Sequence, residues 1–387
     1  MDVGGRDDFD AHGGVNLWVE SREHSIDRPL AAGMEQLTGE LQTGRWRAEH
    51  SGMRHSRWPV VLGAALLVVF LAGCSSKTDP DRKGQTTTEA AGSEPATAVR
   101  VSSPRALHLA SDGRLIVADA GTGKNDGRVL AIRVGPKSGA NGELEALKVD
   151  VLMDGLPSSK AADVVRGVQG AQIGRDGVVC AAIGKAVDAA GKAVAGFATV
   201  RCSNGKTYDM AAAEAAQNPD GKGVDSDPSD IFFNGQDSWF VSDRGANVVW
   251  RIGPDGSINV QTVFTELAEL PRGQAAAPAG MHVVISGRGQ ASVAVALAGG
   301  AIAAFAPGAV DRPIVFAQAG TPVALWDDGK TTLVLLPGAG ANDGSVFNIT
   351  LATTVASGLV RPAGFTRLDD GRLVVSEAGR LRVIKPK

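Results

Sequence analysis

The chain has 387 residues, 43% of them hydrophobic, enough for one large or two ordinary domains with a sizeable core. Its net charge of -3 comes entirely from residues 1–73, which hold seven Arg against ten Asp or Glu; the remainder carries 39 - 7 = 32 basic and 42 - 10 = 32 acidic side chains. That balance gives no reason to expect nucleic acid or an anionic membrane surface as a partner. Fifty Gly against one Tyr imply many tight turns, and Val and Ile cluster in strand-length runs.

Residues 1–52 are polar and patternless. They are read as upstream sequence before Met53, the expected initiator, with a short cytoplasmic tail as the alternative. Residues 53–74, MRHSRWPVVLGAALLVVFLAGC, have a basic start at Arg54 and Arg57 and an apolar run that is short for a membrane span, the proportions of a signal peptide, with an uncleaved anchor as the alternative. The segment Leu71-Ala72-Gly73-Cys74 resembles a bacterial lipobox, so Cys74 is the expected lipidation site and the membrane the expected partner through it. Everything after Cys74 is then expected at the extracytoplasmic face of the cell membrane. Residues 75–94, rich in Ser, Thr, Asp, Lys and Glu, read as a flexible tether.

From Ala106 onward one pattern repeats six times: a strand, a turn, a nearly all-apolar second strand, and one or two more strands. Asp112-Gly113, Asp176-Gly177, Asp328-Gly329 and Asp370-Gly371 mark the first turn in four units, where Asp-Gly suits the positive φ of a tight hairpin. Gln236-Asp237 and Arg288-Gly289 hold that place in the third and fourth units. Second strands such as LIVA, VVCAAI and VAVALA lack the alternation of a one-sided sheet, as strands covered on both faces do. The pattern predicts an all-β fold over residues 95–387, a six-bladed β-propeller of four-stranded antiparallel blades with about 49 residues each. The sixth unit ends after three strands, so Pro95–Ser102 is expected to close the ring as its outer strand. Met210–Gln217, MAAAEAAQ, is expected to form a helical turn or two before an irregular loop.

The run AAAEAAQNPDGKGVDSDPSDI, followed by WFVSDRGANVVWRIGPDGSINVQTVF, resembles the scytonemin-cluster type propeller family (ScyD/ScyE family), most specifically over Tyr208–Phe264. The resemblance implies an exported six-bladed propeller with no settled catalytic role. Asp227, Ser229, Ser242 and Arg244 depart from the family pattern, and the fourth unit lacks its extended proline-rich loop, which puts a family-typical pocket there in doubt.

After Cys74 two histidines remain, His108 and His282, each on the first strand of its unit, in blades that face one another across the ring. With Gln169 and Asp230 on other inner strands, and Arg105 and Arg361 at strand starts, they are the candidate channel ligand-binding residues. The alternative for each is a core or channel-lining role without a ligand. Asp119, Asp243 and Glu377 recur after the second strand and are read as turn-holding acids. Asn125, Asp126, Asn342 and Asp343, in two Gly-rich loops, admit calcium, though turn geometry accounts for them. Cys180 and Cys202 fall opposite each other if the intervening turn centres on Gly191, giving either a disulfide or two buried thiols. No cofactor or metal is expected. The resulting expectation is a monomeric, membrane-anchored binding or scaffold module for an unknown small molecule or envelope protein. The alternative is a lactonase-like or quinoprotein-dehydrogenase-like propeller enzyme using His108, Asp230 and His282.

Overall fold

In a computed structural model of the chain, the residues described are 97–139, 142–265, 267–285, 291–307 and 313–385. Residues 1–52, the segment 53–74 with Cys74, the tether 75–94 and the Arg288-Gly289 turn lie outside them. The described residues form the six-bladed antiparallel propeller expected from the repeats.

Blade one comprises β1 (Thr97–Ala98), β2 (Pro104–Leu109), β3 (Leu115–Asp119), β4 (Gly127–Ser138) and β5 (Leu144–Leu156), in the order β1-β5-β4-β3-β2. A short hairpin follows, β6 (Ser159–Ala161) and β7 (Val164–Arg166). Blade two holds β8 (Val168–Ile173), β9 (Val179–Ile183), β10 (Thr199–Cys202) and β11 (Thr207–Asp209), and is followed by α1 (Met210–Gln217). Blade three holds β12 (Pro228–Phe233), β13 (Trp239–Asp243), β14 (Val248–Ile252) and β15 (Ile258–Val263). Blade four holds β16 (Pro278–Ile285), β17 (Ala291–Leu297), β18 (Ala301–Phe305) and β19 (Ile314–Gln318). Blade five holds β20 (Ala324–Asp327), β21 (Thr332–Leu336), β22 (Gly344–Asn348) and β23 (Thr353–Leu359). Blade six holds β24 (Gly364–Arg367), β25 (Leu373–Glu377) and β26 (Arg380–Ile384).

The turn glycines behave as their sequence context requires: Gly113, Gly177, Gly329 and Gly371 have φ between 78° and 85°. Strands β3, β9, β13 and β25 are buried along their whole length. The core explains why. It consists of one apolar cluster per blade interface, such as Ile116 and Val129 against Val179 and Ile183 between blades one and two, or Val200 against Ile231 and Trp250 between blades two and three. A second strand therefore packs on both faces and has no polar side to show.

Ring closure differs from the expected pairing. Thr97 and Ala98 pair with Ala146 and Glu145 of β5 in blade one, and not with β26 of blade six. The N-terminal segment still lies at the seam, because Val99 and Val101 pack into the cluster that joins Leu107 and Leu115 of blade one to Leu381 and Val383 of blade six. Its backbone is fixed by Asp119, which accepts hydrogen bonds from Ser102 N at 3.1 Å and Ser103 N at 2.7 Å. Beyond β25, β26 makes one backbone bridge among the described residues, Glu143↔Arg382. β5 is 13 residues long, so it offers the larger free edge, and the short N-terminal strand adds there.

Candidate functional site

The inner strands β2, β8, β12, β16, β20 and β24 enclose a central cavity of about 630 Å3. Strand register sorts its walls into layers. Gly170, Asp230 and Gly364 pair with Ala182, Ser242 and Ser376 at equivalent places on their second strands. Close backbone approaches add Ala106, Gly280 and Ala324 to the same layer. Five of the six positions thus carry Gly or Ala, and only blade three carries a carboxylate.

Asp230 is 1% exposed and ties three blades together. Its Oδ1 lies 2.8 Å from His108 Nε2 of blade one, and its Oδ2 accepts from Met281 N of blade four at 2.9 Å. Between blades one and three lies Gly170, where any Cβ would collide with Asp230 Oδ1. The glycine is the aperture through which the carboxylate reaches the histidine. Burial by itself would depress the His108 pKa, but the charge and hydrogen bond of Asp230 outweigh it and the pKa is raised above the ordinary histidine value. The imidazolium form is favoured by a partner that cannot leave.

Two residues further along each inner strand stand His108, Gln172, Phe232, His282, Trp326 and Thr366, all on the cavity wall. His282 belongs to a different group from His108. Its ring centroid is 6.0 Å from that of Trp326, which in turn lies 4.9 Å beneath the guanidinium of Arg367. Burial, then the nearby charge of His108, push the His282 pKa down to about 4, so it is neutral at pH 7. Among the described residues no group of three or more His, Cys, Asp and Glu is placed to hold a metal ion. The oxygens of Asp230 are already engaged by N–H donors, which suits a structural tie better than an open ligand set.

At the start of the inner strands the layer reads Arg105, Gln169, Ser229, Ala279, Val323 and Ala363, polar on blades one to three and apolar on four to six. Ser229 donates to Pro278 O at 2.7 Å, and Gln169 donates to Gly167 O at 3.3 Å. Arg105 donates to Val165 O at 2.6 Å, so the β6–β7 hairpin braces its guanidinium. Arg361 is not part of this mouth. It takes φ 46°, bonds through its N–H to Ala341 O in the blade-five loop, and is exposed. Arg244 takes the expected second arginine's place on the cavity wall. Its backbone N–H donates to Asp227 O at 3.0 Å, and the next residue, Gly245, lies where a Cβ would collide with Asp225 O. Arg244, Gln172, Trp326 and Arg367 escaped the sequence reading. The signal for the last three was their alignment with His108 or its neighbour, hidden by a bulge between Pro104 and Leu107 that offsets the register.

The repeated acids hold loops, as expected. Asp243, fully buried, accepts from Ser226 Oγ at 2.5 Å, Asp227 N at 2.7 Å, Gly245 N and Ala246 N at 3.2 Å, and Trp250 Nε1 at 3.1 Å. Glu377 accepts from Val360 N at 3.0 Å and binds Arg380 and Arg382. In the Gly-rich loops, Asp126 is occupied by Thr122 Oγ1 at 2.6 Å and by Thr122 N and Lys124 N. Burial pushes its pKa up, but these bonds together outweigh it and bring the pKa down to about 2. Asn125 accepts from Ser158 N, and Asp343 from Gly340 N. Asn342 lies exposed in the same blade-five loop as Asp343. Cys180 and Cys202 are directly opposed on β9 and β10, with Cα atoms 4.1 Å apart, and are joined as a disulfide; the intervening turn does fall at Asp188–Gly191.

No protein-family model matches the chain, and no curated protein does. Among solved structures it is similar to a streptogramin B lyase at 14% identity, covering 76% of this chain and 96% of that one with a TM-score of 0.44. It is also similar to virginiamycin B lyase from Staphylococcus aureus, at 13% identity with 75% and 84% of the two chains covered and a TM-score of 0.45. A chain of a nidogen/laminin complex is comparable, at 13% identity, 68% and 85% coverage and a TM-score of 0.43. Likenesses this distant assign no chemistry to this chain.

Proposed function

We propose that the protein is an exported, lipid-anchored propeller that binds a small molecule in its central channel, in the manner of a ScyD/ScyE-like envelope module. The observation that carries this reading is the channel itself. A cavity of about 630 Å3 lies in the range of small-molecule sites, and its walls are mixed: a cationic mouth, a small-residue waist and an aromatic far end. The Asp230–His108 tie keeps that shape fixed before any ligand arrives.

The Cys180–Cys202 disulfide supports an address outside the cytoplasm, since such bonds persist in oxidising compartments. The lipobox-like Leu71–Cys74 supports attachment through Cys74. Substitution Cys74→Ser is expected to abolish incorporation of labelled fatty acid and release the protein from membranes; retained labelling overturns the anchor. For the channel, a small-molecule thermal-shift screen of the full chain in detergent is expected to yield binders that the Ala363→Trp variant, with its channel mouth filled, no longer holds. Binders that are indifferent to this substitution would place the site elsewhere.

A further inference from the structure

The geometry points to the carboxylate of a small organic acid as the group held between Arg105 and Arg244, with the acid's apolar body directed along the channel toward Phe232 and Trp326. This deepens the channel-binding reading and rests on it.

The first ground is unmet hydrogen bonding. The Nε atoms of Arg105 and Arg244 are both buried without a hydrogen-bond partner, and both side chains line the cavity. Asp227 Oδ2 stands 3.9 Å from Arg244 Nε, too far to accept its proton. A buried donor left unpaired costs about 1–3 kcal/mol, so two at one cavity mouth are a standing demand for an acceptor.

Charge is the second ground. Burial first, and then the charges of Arg166 and Arg244, lower the Arg105 pKa, which means that cations crowd this mouth with too little negative charge among them. Asp119, whose charge offsets them, is already bound to Arg128, Ser102 N and Ser103 N. An anion entering from solvent relieves both deficits at once.

The third ground separates a carboxylate from a phosphate. One arm of the Arg105 fork is spent on Val165 O, and Asp227 already screens Arg244, so what remains is a pair of Nε–H edges and a modest surplus of charge. Two oxygens with one charge match it better than a dianion. Opposite the arginines, the same layer is apolar at Ala279, Val323 and Ala363, and the waist beneath is Gly and Ala apart from Asp230, whose oxygens are taken up by His108 and Met281 N. The body that follows the carboxylate inward therefore meets apolar walls, then the rings of Phe232 and Trp326.

The test is calorimetric titration of the full chain in detergent with three probes: phenylacetate, phenylacetamide and inorganic phosphate. Phenylacetate is expected to bind, and phenylacetamide to bind at least about tenfold more weakly, the loss expected for a charged hydrogen-bonded partner. Arg244→Gln and Arg105→Gln are each expected to weaken phenylacetate by a similar factor, with the melting temperature of Arg244→Gln showing that the fold is intact. Equal binding of the amide, unchanged affinity in Arg244→Gln, or no binding of phenylacetate overturns the inference, and phosphate binding more tightly than phenylacetate overturns the carboxylate assignment. The two readings fail separately. Neutral screen hits lost in Ala363→Trp but untouched by the arginine substitutions leave channel binding standing and this inference refuted, whereas hits indifferent to Ala363→Trp remove both.

Discussion

Asp243 and Asp230 lie in the same blade, both buried, both accepting several hydrogen bonds, and they do different work. Asp243 has counterparts after the second strands of blades one and six, Asp119 and Glu377, and each of the three gathers backbone N–H groups of a neighbouring loop. Asp230 has no acidic counterpart: the equivalent places in the other five blades are Gly or Ala, and its bonds run across the channel to two other blades. In a repeat protein, an acid that recurs serves the repeat, and an acid that occurs once serves the place where the blades meet.

Removing each acid in turn separates the two roles. Asp243→Ala leaves five donors around a fully buried site without their acceptor and is expected to cost about 3–5 kcal/mol in urea unfolding. A loss below about 1 kcal/mol would mean that the loop needs no acid. Reducing the Cys180–Cys202 disulfide, which closes a loop with a sequence separation of 22, is expected to cost about 3 kcal/mol while leaving the channel residues in place. Asp230→Asn keeps an oxygen for Met281 N but loses the charge facing His108, and about 1–3 kcal/mol is expected there.

Its pH signature is more telling than its size. Because the folded pKa of His108 is raised, the stabilisation by its charged form is fully present below the unfolded value of about 6.5 and is lost as pH rises through the folded value. Asp230→Asn should abolish that decline. His282 runs the other way. With a folded pKa of about 4, it gives stability that is lost as pH falls from about 6.5 toward 4, and His282→Gln should flatten that acid limb. Its ring faces His108, Asp230 and Asp328 as charged neighbours, so the flattening is the difference between the two proteins' curves and not the whole acid transition. The smallest effect belongs to the exposed turn pair Asp112–Arg114, where Asp112→Ala should change stability by no more than about 0.5 kcal/mol.

The ring was legible in the sequence because Asp-Gly turns and doubly buried second strands recur at a spacing that only stacked blades satisfy. The seam was not, since edge pairing depends on relative strand length: β5 runs to 13 residues, and nothing local announces that a two-residue strand will add to it. The β6–β7 hairpin was missed as well. Its turn passes through Ala162 at φ 50°, without the glycine that marks most of the hairpins. Within the site, His108, Asp230, Gln169 and Arg105 were identifiable from their place at an inner strand. Arg361 misled because an arginine beside a strand start can face the channel or solvent depending on a single backbone angle. Arg244 is the reverse case: it looked like a turn residue, yet its side chain lines the cavity.

Binding at the arginine mouth of the channel would be reported by the resonances of the two guanidinium groups themselves. With the Nε–H signals of Arg105 and Arg244 assigned by substitution, addition of phenylacetate should shift both together, saturating at one concentration and leaving Arg114 unmoved. Shifts confined to exposed arginines, with Arg105 and Arg244 unchanged at saturation, would contradict it.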